Sequence, residues 1–363
     1  YTLVDPPRYP FAFSDGGLLK AINHQLIKAK PDFHKKTLLK PLHKSAEFCS
    51  TCHKTHIPES VNHYRWLRAQ NHYDSFLQSG VSGHRVDSFY YPDRAVPRCS
   101  ACHMPLQASD DPAARDFNDS GTRHVHSHQF PGANTGIAHM VGLPESVIDA
   151  HRDRLTGVTR IDIFGVKEDG HINGRLHAPL RPGLPSLEPG RKYLLEIVVR
   201  TTGVGHHLTQ GTSDSNELWL DVTATAGERI IGRSGARNDT GRVDPWSYFL
   251  NSYVLDRDGN RIDRRNGQDI FVSLYNHQIP PGAATVVHYL LEVPDDTRDP
   301  VVIEANLNYR KFDTTYMQHM LGDEFTVNDL PITIMASDRI ELPVGKGQDD
   351  MGFDLHPVAE NER

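Results

Sequence analysis

The pattern of hydrophobic and polar residues divides the chain into two halves. From about Val158 onward, short runs alternate between apolar and polar residues, and turn residues such as Glu188-Pro189-Gly190 separate them. Alternation with a period of two predicts strands that bury one face. The predicted strands cover residues 159–166, 192–202, 216–225, 246–255, 270–275, 285–293, 301–309 and 332–336. Many short strands without helices between them predict an antiparallel, immunoglobulin-like β-sandwich.

The first half lacks this alternation and contains every cysteine of the chain. Short helices are predicted over residues 17–30 and 63–79, joined by loops rich in Pro and Gly. The sequence therefore predicts an α+β multidomain protein: a loop- and helix-rich domain over 1–150, a β-sandwich over 151–345 and a polar tail over 346–363. A domain with so little continuous apolar periodicity needs a cofactor in its core.

Length, composition and charge limit the function. A chain of 363 residues is long enough for two domains. Its formal net charge of −7 argues against a nucleic-acid partner, because no basic surplus exists to neutralise phosphates. No apolar run is as long as a membrane span, and the N-terminus lacks the basic and apolar regions of a signal peptide. We expect either a mature chain or a piece of a longer one.

All four cysteines fall in two copies of one motif, Cys49-Ser50-Thr51-Cys52-His53 and Cys99-Ser100-Ala101-Cys102-His103. Two intervening residues allow both thiols to reach the two vinyl groups of one porphyrin, and the next histidine can then bind the iron. The sequence therefore predicts two covalent c-type haems, with His53 and His103 as proximal ligands. The 22 histidines of the chain agree with a haem protein.

Two other interpretations of the cysteines are weaker. A zinc half-site would place each histidine directly beside its second cysteine, which is poor geometry for a tetrahedral ion. A thioredoxin-like dithiol needs a strand–helix context that the surrounding sequence lacks.

The second axial position of each iron decides the chemistry. A second strong ligand makes the haem a low-spin electron carrier, whereas an open position permits substrate binding. Met104 follows His103 directly and cannot cross the haem plane, so it is predicted to pack on the haem edge. The supply of histidines favours two bis-histidine haems. The candidate ligands around the motifs are His43, His56, His63, His72, His84, His124, His126, His128 and His139.

Around these motifs the chain resembles the multihaem c-type cytochromes, the electron-transfer group that includes the cytochrome c-554-like proteins. The resemblance lies in residues 43–53, in residues 71–76 through Cys99-Ser100-Ala101-Cys102-His103-Met104-Pro105, and in Ser127-His128-Gln129-Phe130-Pro131-Gly132. In such proteins a Ser-His-x-Phe segment often supplies a distal ligand. The resemblance therefore implies His128 as the first distal ligand to test, followed by His72, His43 and His84.

The segment Gly203-Val204-Gly205-His206-His207-Leu208-Thr209-Gln210-Gly211 also resembles a loop of sandwich domains appended to these cytochromes, although Thr209-Gln210 replaces the usual Pro-Thr. His207 is a further candidate, because it could reach a haem of the first half. Relatives of this kind normally carry more than two haems, which implies further haems upstream or on another chain. The resemblance implies an exported protein, periplasmic or extracellular.

The sequence predicts an electron carrier rather than a catalyst, with other redox proteins or haem-bearing chains as partners and a homo- or hetero-oligomer as an option. One alternative is a catalytic subunit with an open haem site lined by Arg65, Tyr73 or His84. Another is the structural subunit of an extracellular cytochrome assembly. Asp256-Arg257-Asp258-Gly259-Asn260 is either a hairpin turn or a calcium loop.

Overall fold

The computed structural model of the chain describes residues 5, 8–38, 40–62, 67–85, 92–111 and 114–345. The predicted tail over 346–363 lies outside these residues. The helices are α1 (Gly17–Ala29), α2 (Pro31–Leu38), α3 (Ala46–His53), α4 (Glu59–Asn62), α5 (His72–Leu77), α6 (Ser100–His103), α7 (Thr135–Met140), α8 (Glu145–Leu155) and α9 (Thr314–Leu321). None of the helices in the described ranges is long and apolar enough to span a membrane.

The strands form several antiparallel sheets, so the chain combines helices and sheets as predicted. In chain order the strands are β1 (Lys54–Ile57), β2 (Leu67–Asn71), β3 (Leu106–Ala108), β4 (His124–His126), β5 (Thr159–Glu168), β6 (Leu176–His177), β7 (Lys192–Thr201), β8 (Glu217–Ala226), β9 (Arg229–Ser234), β10 (Ser252–Leu255), β11 (Val272–Asn276), β12 (Ala284–Glu292), β13 (Val301–Arg310) and β14 (Ile332–Leu342).

Two four-stranded antiparallel sheets make up most of the second half, with the strand orders β12-β7-β5-β6 and β14-β13-β8-β9. Both contribute to one hydrophobic core, in which Ile163 and Ile197 of the first sheet meet Leu220 and Ile303 of the second. The alternation read from the sequence places these side chains inward, and burying each one stabilises the fold by roughly 1.5–3 kcal/mol. The two sheets thus share a core, and their immunoglobulin-like assignment stays a prediction.

Most predicted strands are confirmed, but one of them is wrong in its first half. Residues 246–251 precede the strand, which covers only Ser252–Leu255. Asp244 explains the difference, because its carboxylate accepts a hydrogen bond from the backbone N–H of Trp246 at 3.0 Å and forms a turn. Trp246 is left 92% exposed. The sequence analysis does not predict β6 and β9, nor the four short strands β1 to β4 of the first half.

The predicted helix over 17–30 is confirmed as α1, whereas the helix predicted over 63–79 is wrong in its first half. Residues Leu67–Asn71 pair with Lys54–Ile57 as a strand instead. The helix then begins at His72, because the Asn71 side chain accepts a hydrogen bond from the backbone N–H of Asp74 at 3.2 Å and caps it. Residues 63–66 lie outside the described ranges.

Helix α8 runs across the boundary predicted near residue 150. Its residues Ile148, His151 and Leu155 are buried, and Leu155 belongs to the core of the two sheets. Directly after the helix, the backbone N–H of Gly157 donates to the carbonyl of Met335 at 3.0 Å. The helix therefore joins the two halves, because it also packs against α7 and its His151 is hydrogen-bonded to the backbone of Gly132.

Candidate haem-binding site

Each cysteine motif lies on a short helix, which places its three reactive side chains within one turn. In the first motif Cys49, Cys52 and His53 all belong to α3, and His53 is its last residue. In the second motif Cys99 is the N-cap of α6, and His103 is again the last residue. A helical turn brings side chains three residues apart onto the same face. Both thiols of each motif are thus held side by side.

The two motifs lie against each other. The Cys99 thiol lies near the Cys49 thiol, and Cys99 packs against a small apolar cluster of Ala46, Phe76 and Val81. Burial, with Cys49 as the next cause, raises the pKa of Cys99 far above its usual range.

Four histidine rings form a continuous row, here called the histidine cluster: His53, His72, His206 and His103. The ring centroids of His53 and His72 are 5.2 Å apart and those of His72 and His206 are 4.9 Å apart, with both pairs edge to face. The rings of His206 and His103 are parallel within 6° and their centroids are 6.3 Å apart. The cluster therefore joins the last residue of each motif.

His103 and His206 each have one ring nitrogen fixed by a backbone carbonyl. Nδ1 of His103 lies 3.0 Å from the carbonyl oxygen of Pro131, and Nδ1 of His206 lies 3.1 Å from that of His207. Because a carbonyl can only accept, both Nδ1 atoms carry the proton and both Nε2 atoms keep a lone pair. Such second contacts fix the tautomer of metal-binding histidines.

The rings of His103 and His206 make a stacked contact in this structure, with their centroids 6.3 Å apart. The residues that fit a haem are those of the motifs themselves, because two thiols and a histidine within one helical turn are the donor set of a covalent c-type haem.

His72 lies between the two motifs and is held neutral. Burial is the main cause that lowers its pKa to about 3, followed by the neighbouring His206 and His53. Its Nδ1 atom is buried and has no hydrogen-bond partner. Buried polar atoms are rarely left without a partner, so an orphaned imidazole nitrogen is consistent with an iron ligand. The ring centroids of His72 and His53 are closer together than those of two imidazoles with an ion between them. The assignment of His72 as a ligand therefore rests on its burial and on its unpartnered Nδ1 atom.

A loop of the second half brings His206 to the cluster. The Ser75 hydroxyl accepts a hydrogen bond from the backbone N–H of His207 at 2.9 Å, and the Ser79 hydroxyl donates to the carbonyl of Gly205 at 3.2 Å. A side chain at Gly205 would meet the Phe76 ring at 3.4 Å. The loop therefore packs closely against α5, the helix that starts with His72.

The sequence analysis named His207, whose backbone anchors the loop, whereas the ring that joins the histidine cluster is that of its neighbour His206. The pair Gly205-His206 directly before His207 was the signal that pointed to this position. The other predicted distal ligands lie elsewhere, with ring contacts to Phe48 for His43 and to Phe130 for His128. The side chains of His43, His84 and His128 are exposed. Arg65 lies outside the described residues.

A cleft of 230 Å³ lies between the segments that precede the two motifs. Lys44, His84 and Arg98 line it, together with Glu47. Tyr73 donates a hydrogen bond to Glu47 at 3.2 Å. Three basic side chains in one cleft favour a small anion.

The residues of the candidate calcium loop form a hydrogen-bonded turn. The Asp256 carboxylate accepts hydrogen bonds from the Asn260 side chain, at 3.1 Å, and from the backbone N–H groups of Asn260 and Asp258, at 2.7 and 2.9 Å, and these bonds lower its pKa. Within the part of the chain that the structure describes, no group of three or more His, Cys, Asp or Glu residues is arranged to hold a metal ion.

No family model matches the chain, and no curated protein matches its sequence. Among solved structures it is similar to a penta-haem cytochrome c552 from Thermochromatium tepidum, at 13% identity and a TM-score of 0.48. The match covers 82% of this chain and 56% of that one, so the chain spans little more than half of that cytochrome. A DNA glycosylase, AlkC from Pseudomonas fluorescens, is matched at 10% identity with a TM-score of 0.18, over 53% of this chain and 33% of that one.

Proposed function

We propose that this chain is an exported c-type cytochrome that carries two covalent haems and transfers electrons between redox partners. One observation carries the proposal. The two Cys-x-x-Cys-His helices lie against each other at Cys49 and Cys99, and their terminal histidines end in one row of imidazoles. A zinc site or an isolated dithiol gives no reason for that arrangement.

Each motif would hold one haem through its two thiols. Cys49 and Cys52 with His53 would hold the first, and Cys99 and Cys102 with His103 the second. When bound, the haem supplies reversible one-electron chemistry at iron, with a potential set by the axial ligands and by burial.

The distal ligands we assign are His206 for the second motif and His72 for the first. The chain keeps both imidazoles neutral, because burial lowers the pKa of His206 to about 4 and that of His72 to about 3. It also orients His103 and His206 through backbone carbonyls. A neutral distal histidine on each haem would leave no position for a substrate, which is the requirement of an electron carrier.

The second half would then serve as part of the haem site and as a docking surface. The orders β14-β13-β8-β9 and β12-β7-β5-β6 support the immunoglobulin-like assignment, since β14-β13-β8 correspond to the strands G-F-C of that fold and β12-β7-β5 to its strands E-B-A.

A second candidate function is a catalytic subunit with one open haem position. The cleft lined by Lys44, His84 and Arg98 favours it, because it lies beside both motif segments and suits an anion. Low-temperature paramagnetic resonance separates the two functions. The carrier requires two low-spin ferric signals, whereas a high-spin signal in the unmodified protein favours the enzyme.

A further inference from the structure

Residues 17–44, here called the basic segment, have a charge opposite to that of the rest of the chain. They contain seven lysines and a single acidic residue, Asp32, which gives a net charge of +6. The remainder of the chain has 32 basic against 45 acidic residues and a net charge of −13. The lysines are Lys20, Lys28, Lys30, Lys35, Lys36, Lys40 and Lys44.

The basic segment is not neutralised within the described residues. All seven lysines are exposed, and none takes part in the ion pairs of this part of the chain. Within the part of the chain that the structure describes, the one side-chain hydrogen bond of these lysines joins Lys40 Nζ to the carbonyl of Lys36 at 2.8 Å. Helix α1 buries none of its residues, and Leu18 is 76% exposed. An amphipathic helix normally buries its apolar stripe, so this surface is suited to a partner.

The basic segment leads directly into the first haem motif. Lys44 is followed by Ser45, the N-cap of α3, and Cys49 lies one turn further along that helix. Lys44 also lines the cleft that contains Arg98 and His84, so the positive surface continues to the residue before Cys99. Lys40 and Lys44 therefore lie within ten residues of Cys49 along the chain, and Lys44 lies in the cleft beside both motif segments.

We propose that the basic segment docks an acidic electron-transfer protein against the edge of the first motif. The inference rests on the proposed function, and it adds the kind of partner. Complementary charge raises the association rate by about 10–1,000-fold at low ionic strength and orients the two proteins. The apolar side chains of α1 would supply the contact that persists at higher salt.

The test uses reduced flavodoxin, an acidic one-electron donor, and the complete haem-loaded chain. Stopped-flow absorbance measures the bimolecular rate constant for haem reduction as salt is added, and calorimetry measures flavodoxin binding. Replacing Lys35, Lys40 and Lys44 by Gln should lower the rate about five- to tenfold at low salt and flatten its salt dependence. The matched control replaces Arg191, Arg229 and Arg339 by Gln, which changes the net charge equally and should alter the rate less than twofold.

Several results would overturn this docking surface. If the rate of haem reduction by flavodoxin does not depend on salt, or if both triple variants lower it equally, the basic segment is not the docking surface. Salt-dependent self-association seen by sedimentation and abolished by the lysine variant assigns it to a second copy of the chain. Binding to phosphatidylglycerol vesicles in preference to flavodoxin assigns it to a membrane.

A failure of the proposed function is distinguishable from these results. Protein without covalent haem contradicts the function, while calorimetry still reports whether flavodoxin binds the lysines. Reduction by neutral lumiflavin semiquinone should be equal in all variants.

Discussion

His206 is the single residue whose removal should most change the second haem. Changing His206 to Ala removes the ring that lies parallel to His103 at 6.3 Å. We expect one haem to convert from low spin to high spin and its potential to rise on the order of 0.1 V, because a basic imidazole that stabilises ferric iron is lost. Paramagnetic resonance and a redox titration measure both effects.

His207→Ala is the matched control for this variant, since it removes an adjacent imidazole from the same loop. The backbone N–H of His207 still donates to Ser75, so the loop should stay in place. If His207→Ala changes the spin state and His206→Ala does not, the assignment of the distal ligand is wrong.

Arg310 and Glu217 form a buried ion pair in the second half. Arg310 is 0% exposed and also donates to the carbonyls of Gly241, at 2.7 Å, and Asn328, at 3.2 Å. Changing Arg310 to Met leaves Glu217 without its cation and should lower the free energy of unfolding by about 3–5 kcal/mol at pH 8. Denaturant unfolding followed by circular dichroism measures the loss. As a control, Arg339→Met at an exposed position should lower the free energy of unfolding far less.

The loss of unfolding free energy in Arg310→Met should be larger at high pH than at low pH. Burial raises the pKa of Glu217 to about 7, above its ordinary 4.5, and Arg310 opposes that rise. A carboxyl with a raised folded-state pKa contributes stability below the unfolded pKa and loses it as pH rises through the folded one. The variant should therefore be closer to the wild type at pH 5 than at pH 8. A loss that is constant with pH would contradict a charged, unpaired Glu217.

Some residues of the site could be predicted from the sequence and others could not. The cysteine spacing indicates both motifs, because that chemistry is local to five residues. Which histidine can act as a distal ligand depends on which loops come together in the fold, and the sequence indicates those contacts only weakly. His128 sits in a promising Ser-His-Gln-Phe segment, yet its exposed ring contacts Phe130. The choice between His206 and His207 depends on Ser75, which is 132 residues away along the chain.

At the scale of single elements, α5 depends on its cap. The Asn71 side chain accepts a hydrogen bond from the backbone N–H of Asp74, and His72 is the first residue of the helix. Asn71→Ala should lower the free energy of unfolding by about 1 kcal/mol. Denaturant unfolding measures this loss. Asn71→Ser preserves a capping oxygen and should restore most of the stability; equal losses in both variants would show that the cap does not hold the helix.

Helix α8 determines where a fragment of the second half has to begin in order to fold. A fragment of residues 143–345 keeps the whole helix and should fold without haem, with the circular dichroism of a β protein. A fragment that begins at residue 150 lacks Ile148, which is 2% exposed, and should be less stable by about 2–5 kcal/mol. Chemical denaturation of both fragments compares them. Equal stability would show that α8 belongs to the first half.

The elements recovered from sequence are those with sustained alternation, such as Val301–Arg310 in the core. The misses have local causes. A turn at Asp244 interrupts an apolar run, and the cap at Asn71 starts the helix at His72, whereas the pattern predicts a start at residue 63. Strand β9 follows a turn that needs Gly227, whose φ is +58°, and its pattern is too short to stand out.

At the scale of the whole molecule, the two halves share one site. The first half supplies the cysteines, His53, His72 and His103, and the second half supplies His206. The first half alone has a small apolar cluster around Phe76, which is little for a domain of its length. Haem in its interior would supply the missing core, so loss of either haem should destabilise both halves.

Covalent haem content tests the central claim most directly. The chain is expressed with its haem-attachment machinery, denatured, and analysed by mass spectrometry together with its alkaline pyridine spectrum. The account predicts a mass increase of two haems and a thioether-type spectrum, reduced to one haem when Cys99 and Cys102 are changed to Ala. Protein that carries a single haem, no haem, or zinc in its place would contradict it.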